Sequence, residues 1–376
     1  ASPQDAMRLA GDGLAQLQWA LDKDDLSLIW CTQDAVGVGR DSLVKSASAG
    51  VLWGLARVAR AESPDMQLRL IDGFDAPSLA ALALTDEPEC AQREEDVWVP
   101  RLVSHQAPRR AGALLTGEGA VLITGGLGAL GKSVALWLAK EQGIQELVLT
   151  SRRGLDTPGA KEFAQELGDL GATAKVYACD VSDGDSLGKV IGEAGKIRGV
   201  IHAAGTLDDG VLKDMSTDRF ATVFAPKVQG AWNLHEQTQN LDLDFFVLFS
   251  SIAAVIGNPG QSNYASANHY LDSLAAMRRG AGLPAVSIAW GTWAHGGMAA
   301  ELTDADQARM LRRGFSALEE HEGLALLERA ILDDEATLVS VGLDSKRLER
   351  SVEQSGAGVP ALYRSLIRIK AKGLGA

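Results

Sequence analysis

A tyrosine, an asparagine and a serine pair stand at spacings that suit proton transfer to a carbonyl group. Asn268 follows Tyr264 by four residues, one turn of a predicted helix, and Ser250 and Ser251 precede the tyrosine. A phenol titrates near pH ~10 in water, so it needs a nearby cation to act well near neutrality. Reduction of a ketone requires a proton at oxygen and a hydride at carbon. These residues predict the proton-donating half of that reaction.

A glycine-rich turn at 124–131, TGGLGALG, predicts where the hydride comes from. The turn follows a predicted buried strand and precedes a predicted helix, which is the context in which a GxGxxG pattern binds a dinucleotide. Gly126, Gly128 and Gly131 would permit a tight turn, close approach to pyrophosphate and close helix–strand packing. The helix N-terminus would offer amide groups to the phosphates. Thr124, Gly125 and Leu130 complete this predicted part of the cofactor site.

The end of the following predicted strand favours NADPH as the dinucleotide. An enzyme that uses the unphosphorylated form usually has an acidic residue there, bonded to the ribose 2′-hydroxyl. Ser151, Arg152 and Arg153 stand there instead, and a planar guanidinium matches the oxygens of a 2′-phosphate. The alternative is an exposed arginine pair without a ligand. Later strand ends add further predicted cofactor contacts: Asp180, Val181, Ala203, Ala204, Gly205, Ser250 and Trp290.

The elements that must position these groups alternate along the chain from residue 119. Near-continuous apolar strands separated by amphipathic helices predict an α/β fold, a doubly wound parallel sheet of the Rossmann type covered on both faces. In such sheets ligands bind at the carboxyl ends of the strands, where Ser251 stands. The predicted strands are 120–124, 146–151, 174–180, 199–205, 244–251, 285–291 and 337–343.

Residues 26–103 show the same alternation without a phosphate-binding turn. Their order suggests a small parallel sheet that holds no cofactor. Residues 104–118 have little periodicity and predict a linker. We therefore expect a truncated Rossmann-like structural subdomain at 1–110, a catalytic subdomain at 111–350 and a C-terminal linker at 351–376. The end of that linker, LYRSLIRIKAK, favours an exposed stub, with a short docking helix as the alternative. The predicted elements of the first half are 26–32, 50–62, 66–72, 78–84 and 96–103.

Composition and charge argue against several classes of protein. A net charge of −13 over 376 residues argues against broad binding to nucleic acid. No run approaches the ~18 apolar residues of a membrane helix, and the first residues lack a signal-peptide pattern. The three cysteines are far apart and include no CxxC pair. They favour reduced thiols in the cytoplasm and argue against a metal site.

On these motifs the second half resembles a short-chain dehydrogenase/reductase, and specifically the ketoreductase domain of a modular polyketide synthase. Ordinary members of the superfamily carry lysine four residues after the tyrosine, where this chain has Asn268. The matching lysine is Lys227 in APKVQGAWNLHE, an exchange found in polyketide and animal fatty-acid synthase ketoreductases. The first half resembles the structural subdomain of the same enzymes through residues 51–65 and 97–103.

The resemblance implies a role for each of four residues. Tyr264 would donate the proton, and Ser251 would hold the carbonyl oxygen. Lys227 would lower the pKa of the tyrosine and orient the nicotinamide ribose, while Asn268 would support Lys227 and a proton-relay water. The implied substrate is a β-ketoacyl thioester on the phosphopantetheine arm of an acyl carrier protein, with other synthase domains as neighbours.

Three residues after the HAAG segment predict which face of the ketone is reduced. In this family the triplet Leu207, Asp208 and Asp209 is typical of B-type enzymes, which give the D-β-hydroxyl. The opposite class has tryptophan at the position of Ile256 or histidine at that of Gln261. A lid over the substrate is implied for 290–314, with Met298 among its contacts, although core packing is an equal alternative for Trp290 and Trp293.

Two other functions stay open on the sequence. One is a free-standing reductase of a diffusible ketone, which the cofactor-free first half argues against. The other is a catalytically silent scaffold, which tends to lose the tyrosine, the serine or the glycine turn. Contact with an acidic carrier is a possible role of Arg278, Arg279, Arg312 and Arg313, with simple surface exposure as the alternative.

Overall fold

Each half of the chain contains its own β-sheet. The computed structural model describes residues 2–23, 25–39, 44–73, 86–106, 112–294, 310–356 and 358–367. No helix within these ranges is long and apolar enough to cross a membrane, and they contain no cluster of His, Cys, Asp or Glu side chains arranged to hold a metal ion. All three cysteines have free thiols.

The first half folds as a four-stranded sheet with two described α-helices. Its strands lie in the order β1-β2-β3-β4, of which the first three are parallel and the last pairs antiparallel with β3. The elements are α1 (Pro3–Ala20), β1 (Ser27–Thr32), α2 (Val51–Glu62), β2 (Gln67–Asp72), β3 (Glu89–Arg93) and β4 (Asp96–Trp98).

The edge of this first sheet differs from the prediction. Strand β3 has the sequence ECAQR, whose charged ends hide any apolar alternation, and it was not predicted. The predicted strand at 96–103 is only three residues long and exposed throughout. It pairs antiparallel with β3 in a hairpin whose turn contains Glu94 at φ 52°. The sheet therefore ends in an antiparallel strand and is not wholly parallel. The apolar stretch 78–84 lies outside the described residues.

A seven-stranded, wholly parallel sheet forms the second half and confirms the predicted doubly wound α/β fold. Its order is β12-β10-β9-β8-β5-β6-β7. From β5 the chain adds strands on one side of the sheet and from β8 on the other side. In doubly wound sheets the ligand crevice lies at such a switch point, here at the carboxyl ends of β5 and β8. The strands are β5 (Ala120–Thr124), β6 (Glu146–Ser151), β7 (Thr173–Ala178), β8 (Ile197–His202), β9 (Phe245–Ser251), β10 (Val286–Trp290) and β12 (Thr337–Ser340).

Helices cover both faces of this sheet. A separate short antiparallel pair consists of β11 (Phe315–Ser316) and β13 (Gly342–Leu343). The predicted strand 337–343 is therefore divided between β12 and β13. The helices are α3 (Ala129–Lys140), α4 (Ala160–Asp169), α5 (Gly184–Ala194), α6 (Thr217–Phe224), α7 (Gly230–Thr238), α8 (Ala253–Ile256), α9 (Ser262–Gly280), α10 (Glu320–Ile331) and α11 (Ser345–Ser355).

The described part of the C-terminal segment packs against the fold, so the expectation of an exposed stub is wrong over these residues. Leu348 and Val352 of α11 form a small buried cluster with Ile367. The amide of Leu102 donates to the carbonyl oxygen of Leu362 at 2.9 Å. The cluster attaches residues 358–367 to α11, and the hydrogen bond attaches them to the first half of the chain.

The two halves meet where α2 packs against α9, the helix that carries Tyr264. Buried residues of both helices belong to one hydrophobic core. A Cβ atom at Gly54 would overlap the backbone carbonyl oxygen of Ala265, so only glycine permits this close approach. Farther along α2, Arg57 donates to the carbonyl oxygen of Ala254 at 2.7 Å and pairs with Glu89 at 2.6 Å. The first half therefore supports the helices of the second directly.

Replacing Gly54 with alanine should destabilise the chain by about 1–3 kcal/mol, because overpacking at a backbone contact forces α2 away from α9. The measurement is the free energy of unfolding in urea. Gly192 of α5 is the matched control, since a Cβ there meets nothing within 4 Å. Gly192→Ala should stabilise by about 0.5–1 kcal/mol through helix propensity. Equal effects of the two changes would contradict the assigned contact.

Candidate active site

The glycine turn lies at the switch point of the second sheet, and its geometry fits a dinucleotide phosphate. Gly125 has φ 69°, and a Cβ there would lie 2.9 Å from the Cα atom of Ala204. A Cβ at Gly131 would overlap the carbonyl oxygen of Gly125. Helix α3 starts after Gly128, which provides no side-chain cap. The first amides of the helix have no intrahelical partner, so they can bind an anion.

The arginines that favoured NADPH are exposed at the end of β6. Arg152 and Arg153 directly follow Ser151, whose hydroxyl bonds that of Thr157 at 3.0 Å. Gly154, at φ 51°, lies against the backbone of Ala178 at the end of β7. The turn that carries both guanidinium groups is therefore fixed between two strand ends, one strand away from the glycine turn.

The remaining predicted cofactor residues line the same edge of the sheet. Asp180 is exposed, and its carboxylate caps Ser182 at 2.6–2.9 Å, while Val181 is buried. The amide of Ala203 donates to the carbonyl oxygen of Thr124 at 3.1 Å, which places 203–205 beside the glycine turn. Leu130 is half-buried in the first turn of α3.

Lys227 lies in a π-helical turn, Ala225–Gln229, between α6 and α7. Such turns are rare and frequently occur at functional sites. Its side chain is 4% exposed, and its Nζ atom donates to the carbonyl oxygen of Phe249 at 2.9 Å. The same Nζ atom lies 5.3 Å from the centroid of the Tyr264 ring. A Cβ at Gly205 would come within 3.5 Å of this ammonium, so the lysine lies between the tyrosine and the cofactor edge.

The hydroxyl and amide groups expected around the tyrosine are also in place. Ser251, at the end of β9, is half-buried, and its Oγ atom accepts from the amide of Ala253 at 3.2 Å. Ser250 is buried and donates to the carbonyl oxygen of Asn268 at 3.1 Å. The Asn268 side chain donates to the carbonyl oxygen of Tyr264 at 2.8 Å, and its buried Oδ1 atom has no hydrogen-bond partner among the residues that the structure describes. That oxygen can accept a bond from an ammonium or a water.

Burial dominates the titration of these groups. It lowers the pKa of Lys227 to about 7, against the opposing charge of Asp272. Burial also raises the pKa of Tyr264 to about 12, although the nearby Asn268 and Ser251 side chains act in the opposite direction. The phenol is thus held in its protonated form, ready to donate. Asp272 is half-buried and accepts a bond from the Ser287 hydroxyl at 2.6 Å; its pKa is raised to about 6, mainly by desolvation.

The LDD triplet lies in the segment that follows β8 and is held in place by neighbouring side chains. Leu207 and Asp208 are half-buried, and Asp209 is exposed. The side-chain amide of Gln261 donates to the carboxylate of Asp209 at 2.9 Å, and the side-chain amide of Asn263 donates to the carbonyl oxygen of Asp208 at 2.8 Å. The position of Gln261, three residues before the tyrosine, therefore contacts the triplet directly.

Sequence reasoning did not identify two side chains that hold this loop. Arg219 of α6 pairs with Asp208 at 3.3 Å and also donates to the carbonyl oxygen of Asp209. Asn263 adjoins the predicted tyrosine, yet an isolated asparagine carries no signal of its own. Both contacts bring together segments that are distant in sequence, so no local pattern could have revealed them.

Other candidate residues occupy different positions. Trp290 and Trp293 are buried, with ring centroids 5.1 Å apart, so the structure favours core packing for both. Met298 and the rest of 295–309 in the expected lid lie outside the described residues. Arg278 is wholly buried over the ring of Phe246 at 3.8 Å. Its predicted alternatives, an exposed cation or a carrier contact, are both wrong for this residue.

Two family models match the chain. The model described as the KR domain matches residues 119–295. The model described as the Rossmann fold domain of the polyketide synthase extender module SpnB matches residues 1–102. Together they cover the first sheet and six of the seven strands of the second, all but β12 (Thr337–Ser340).

Curated relatives are large synthases of which the chain spans a small part. Polyketide synthase GfsA of Streptomyces halstedii is 43% identical over 369 residues, which make up 96% of this chain and 5% of that protein. The spectinabilin polyketide synthase system protein NorA′ of Streptomyces orinoci is 39% identical over 376 residues, 98% of this chain and 10% of that protein. Neighbouring synthase domains therefore accompany the similar segment in these relatives.

Solved structures with the same fold are ketoreductases. PlmKR1, from the first module of phoslactomycin biosynthesis in Streptomyces sp. HK803, is 35% identical with a TM-score of 0.85, over 96% of this chain and 85% of that one. A structure of A-type ketoreductases from a modular polyketide synthase is 37% identical with a TM-score of 0.85, over 94% and 76%. The chain therefore belongs to the ketoreductase domain family of modular polyketide synthases, oxidoreductases that reduce β-keto groups.

Proposed function

We propose that the chain uses NADPH to reduce a β-ketoacyl thioester on an acyl carrier protein to the D-β-hydroxyacyl thioester. The observation that carries this proposal is the meeting of Lys227 and Tyr264, 5.3 Å from nitrogen to ring centroid, beside the glycine turn. We also propose that the chain consists of a structural subdomain (1–110), a catalytic subdomain (111–350) and a C-terminal segment (351–376), and that it is located in the cytoplasm.

In this proposal the reduced nicotinamide supplies the hydride, and the chain supplies the proton and the geometry. Tyr264 donates its proton to the carbonyl oxygen as negative charge develops there. The Ser251 hydroxyl bonds the same oxygen and fixes its orientation toward the phenol. The unpartnered Oδ1 atom of Asn268 accepts from a water that returns a proton to the tyrosine.

Lys227 acts on Tyr264 through its charge, so its protonation state matters. With a pKa of about 7, a large part of this lysine is neutral at neutral pH when no anionic ligand lies beside it. A neutral amine exerts little field on the phenol, which is consistent with the raised pKa of Tyr264. Compensation of the buried ammonium by an anionic ligand would restore the charge and stabilise the developing phenolate.

The preference for NADPH over the unphosphorylated cofactor is assigned to the arginine turn after β6. Arg152 and Arg153 are exposed at the strand next to the glycine turn, and no acid occupies the end of β6. A guanidinium binds a 2′-phosphate in a bidentate manner. The same turn would leave an unphosphorylated ribose without its usual carboxylate partner.

The D configuration is assigned to the LDD triplet and the residues that hold it. Leu207 is half-buried in the crevice wall, and Asp209 is bonded to Gln261. The similar structure of A-type ketoreductases shares the fold, so in this proposal the loops around the site and their side chains, and not the overall fold, select the face of the ketone.

The carrier-bound substrate distinguishes a synthase domain from a free-standing reductase. Curated relatives that contain the similar segment are large multidomain synthases, which supports a tethered substrate. Where the carrier is linked to the chain, kcat/KM should be higher for the carrier-bound than for the free β-ketothioester, because the linkage raises the effective concentration of the acyl group at the site.

Tyr264→Phe should lower turnover by about 10²–10⁴-fold, the usual contribution of a positioned proton donor, while NADPH still binds. The measurements are NADPH oxidation with a small β-ketoacyl thioester and cofactor binding by fluorescence. Tyr270→Phe is the matched control, since this buried hydroxyl on the same helix has no hydrogen-bond partner. Near-normal turnover by Tyr264→Phe would exclude the phenol as proton donor.

Arg152→Ala should raise the KM for NADPH by at least about tenfold, the loss of one charge-assisted contact, with little change in saturated turnover. The KM for NADH should change far less, so the comparison of the two cofactors is decisive. Lys161→Ala, which removes an exposed cation of α4, provides the control. An unchanged cofactor preference would refute the role of Arg152.

Lys227→Met should alter how stability depends on pH in the cofactor-free protein. The folded pKa of about 7 lies below the ~10.4 of an exposed lysine, so the unfolded chain binds more protons between these values. The wild type should therefore gain stability as pH rises from 7 to 10, by up to about 1.4 kcal/mol per unit relative to Lys227→Met. Urea unfolding at several pH values measures this difference, and a constant difference would contradict the shifted pKa.

A further inference from the structure

A carboxylate of the first half holds two loops of the crevice together. Glu62 is the last residue of α2. Its Oε1 atom accepts from the backbone amide of Gly260 at 2.8 Å, and its Oε2 atom accepts from that of Leu212 at 2.7 Å. The two bonded amides are 48 residues apart in sequence, and Glu62 is 150 residues before the nearer one.

These two loops adjoin the residues to which the proposed function gives roles at the substrate. Leu212 follows the LDD triplet by three residues, and Gly260 precedes Tyr264 by four. The loops also touch each other, because the amide of Gly210 donates to the carbonyl oxygen of Gly260 at 2.8 Å. Glu62 thus bonds both segments close to the point where they meet.

The first half provides a fixed point for this contact. Close packing of Gly54 on Ala265 and the bond from Arg57 to Ala254 attach α2 to α9 and α8. From α1, Gln18 donates to the carbonyl oxygen of Leu212 at 3.0 Å, so the segment after the triplet is held from two helices. The carboxylate of Glu62 therefore reaches both loops from a helix that is itself anchored.

Only an ionised carboxylate provides two equivalent acceptors in this geometry. A glutamine side chain has one acceptor oxygen, and its amino group would face the second backbone N–H. Hydrogen bonds to a charged acceptor are shorter and stronger than neutral ones. The double contact with the amides of Leu212 and Gly260 thus requires a carboxylate, which Glu62 provides.

We infer that Glu62 is a positioning residue that sets the spacing between the LDD loop and the loop before Tyr264, and thereby the facial selectivity of reduction. The inference rests on the proposed function. It assigns part of the stereochemical control to the half of the chain that binds no cofactor. Glu62 acts through the two backbone amides and does not need to touch the substrate.

The test is chiral analysis of the alcohol formed from the N-acetylcysteamine thioester of 3-oxopentanoic acid. Glu62→Ala should lower the ratio of D to L product by at least about tenfold, which corresponds to one charge-assisted hydrogen bond. Glu62→Gln, which keeps one acceptor and the side-chain volume, should give an intermediate ratio. Asp65→Ala removes an exposed acid just beyond α2 and should leave the ratio unchanged.

A second measurement separates this inference from the proposed function. Hydrogen exchange of the Leu212 and Gly260 amides should be faster in Glu62→Gln and Glu62→Ala, and unchanged in Asp65→Ala, with or without substrate. Faster exchange with an unchanged product ratio would overturn the stereochemical role. Unchanged exchange would overturn the contact itself. Wild-type chain that oxidises no NADPH with this thioester would instead overturn the proposed function, and the stereochemical role with it.

Discussion

The structure depends on burying one lysine beside one tyrosine. Lys227 is buried in its π-helical turn, and its ammonium donates to the carbonyl oxygen of Phe249. The loss of hydration lowers its pKa to about 7. An uncompensated buried ammonium is unfavourable, so such a residue is retained where its charge does chemistry. The adjacent phenol is held protonated by the same desolvation. In the proposed function, this pair serves hydride transfer from a dinucleotide bound at the glycine turn.

The pair comes from separate elements, and the rest of the fold keeps them together. Tyr264 is on α9, and Lys227 precedes α7, so their separation is set by how both helices pack on the sheet. Helix α2 of the first half supports α9 through Gly54 and α8 through Arg57. The first half therefore supports the helix that carries Tyr264, and through Glu62 it bonds the loops at Leu212 and Gly260.

Sequence patterns predicted the second half of the chain well, and the physical reason is burial on both faces. Strands β5 and β6 were predicted to the residue, because runs such as AVLIT have no other stable environment. The hairpin of β3 and β4 was missed, since edge strands can be polar or exposed. Arg278 illustrates a further limit: its charge suggested exposure, but its stem and guanidinium are buried against Phe246. The contacts of Glu62 depend on tertiary packing alone.

The central claim, that Lys227 and Tyr264 act as one unit, is tested most directly by a double-mutant cycle. The kcat/KM for a β-ketoacyl thioester would be measured for wild type, Lys227→Met, Tyr264→Phe and the double variant. Residues that act together show strongly non-additive losses, so the double variant should be about as slow as the slower single variant. Losses that multiply, each variant lowering kcat/KM by its own factor, would show that the two groups act independently and contradict the account.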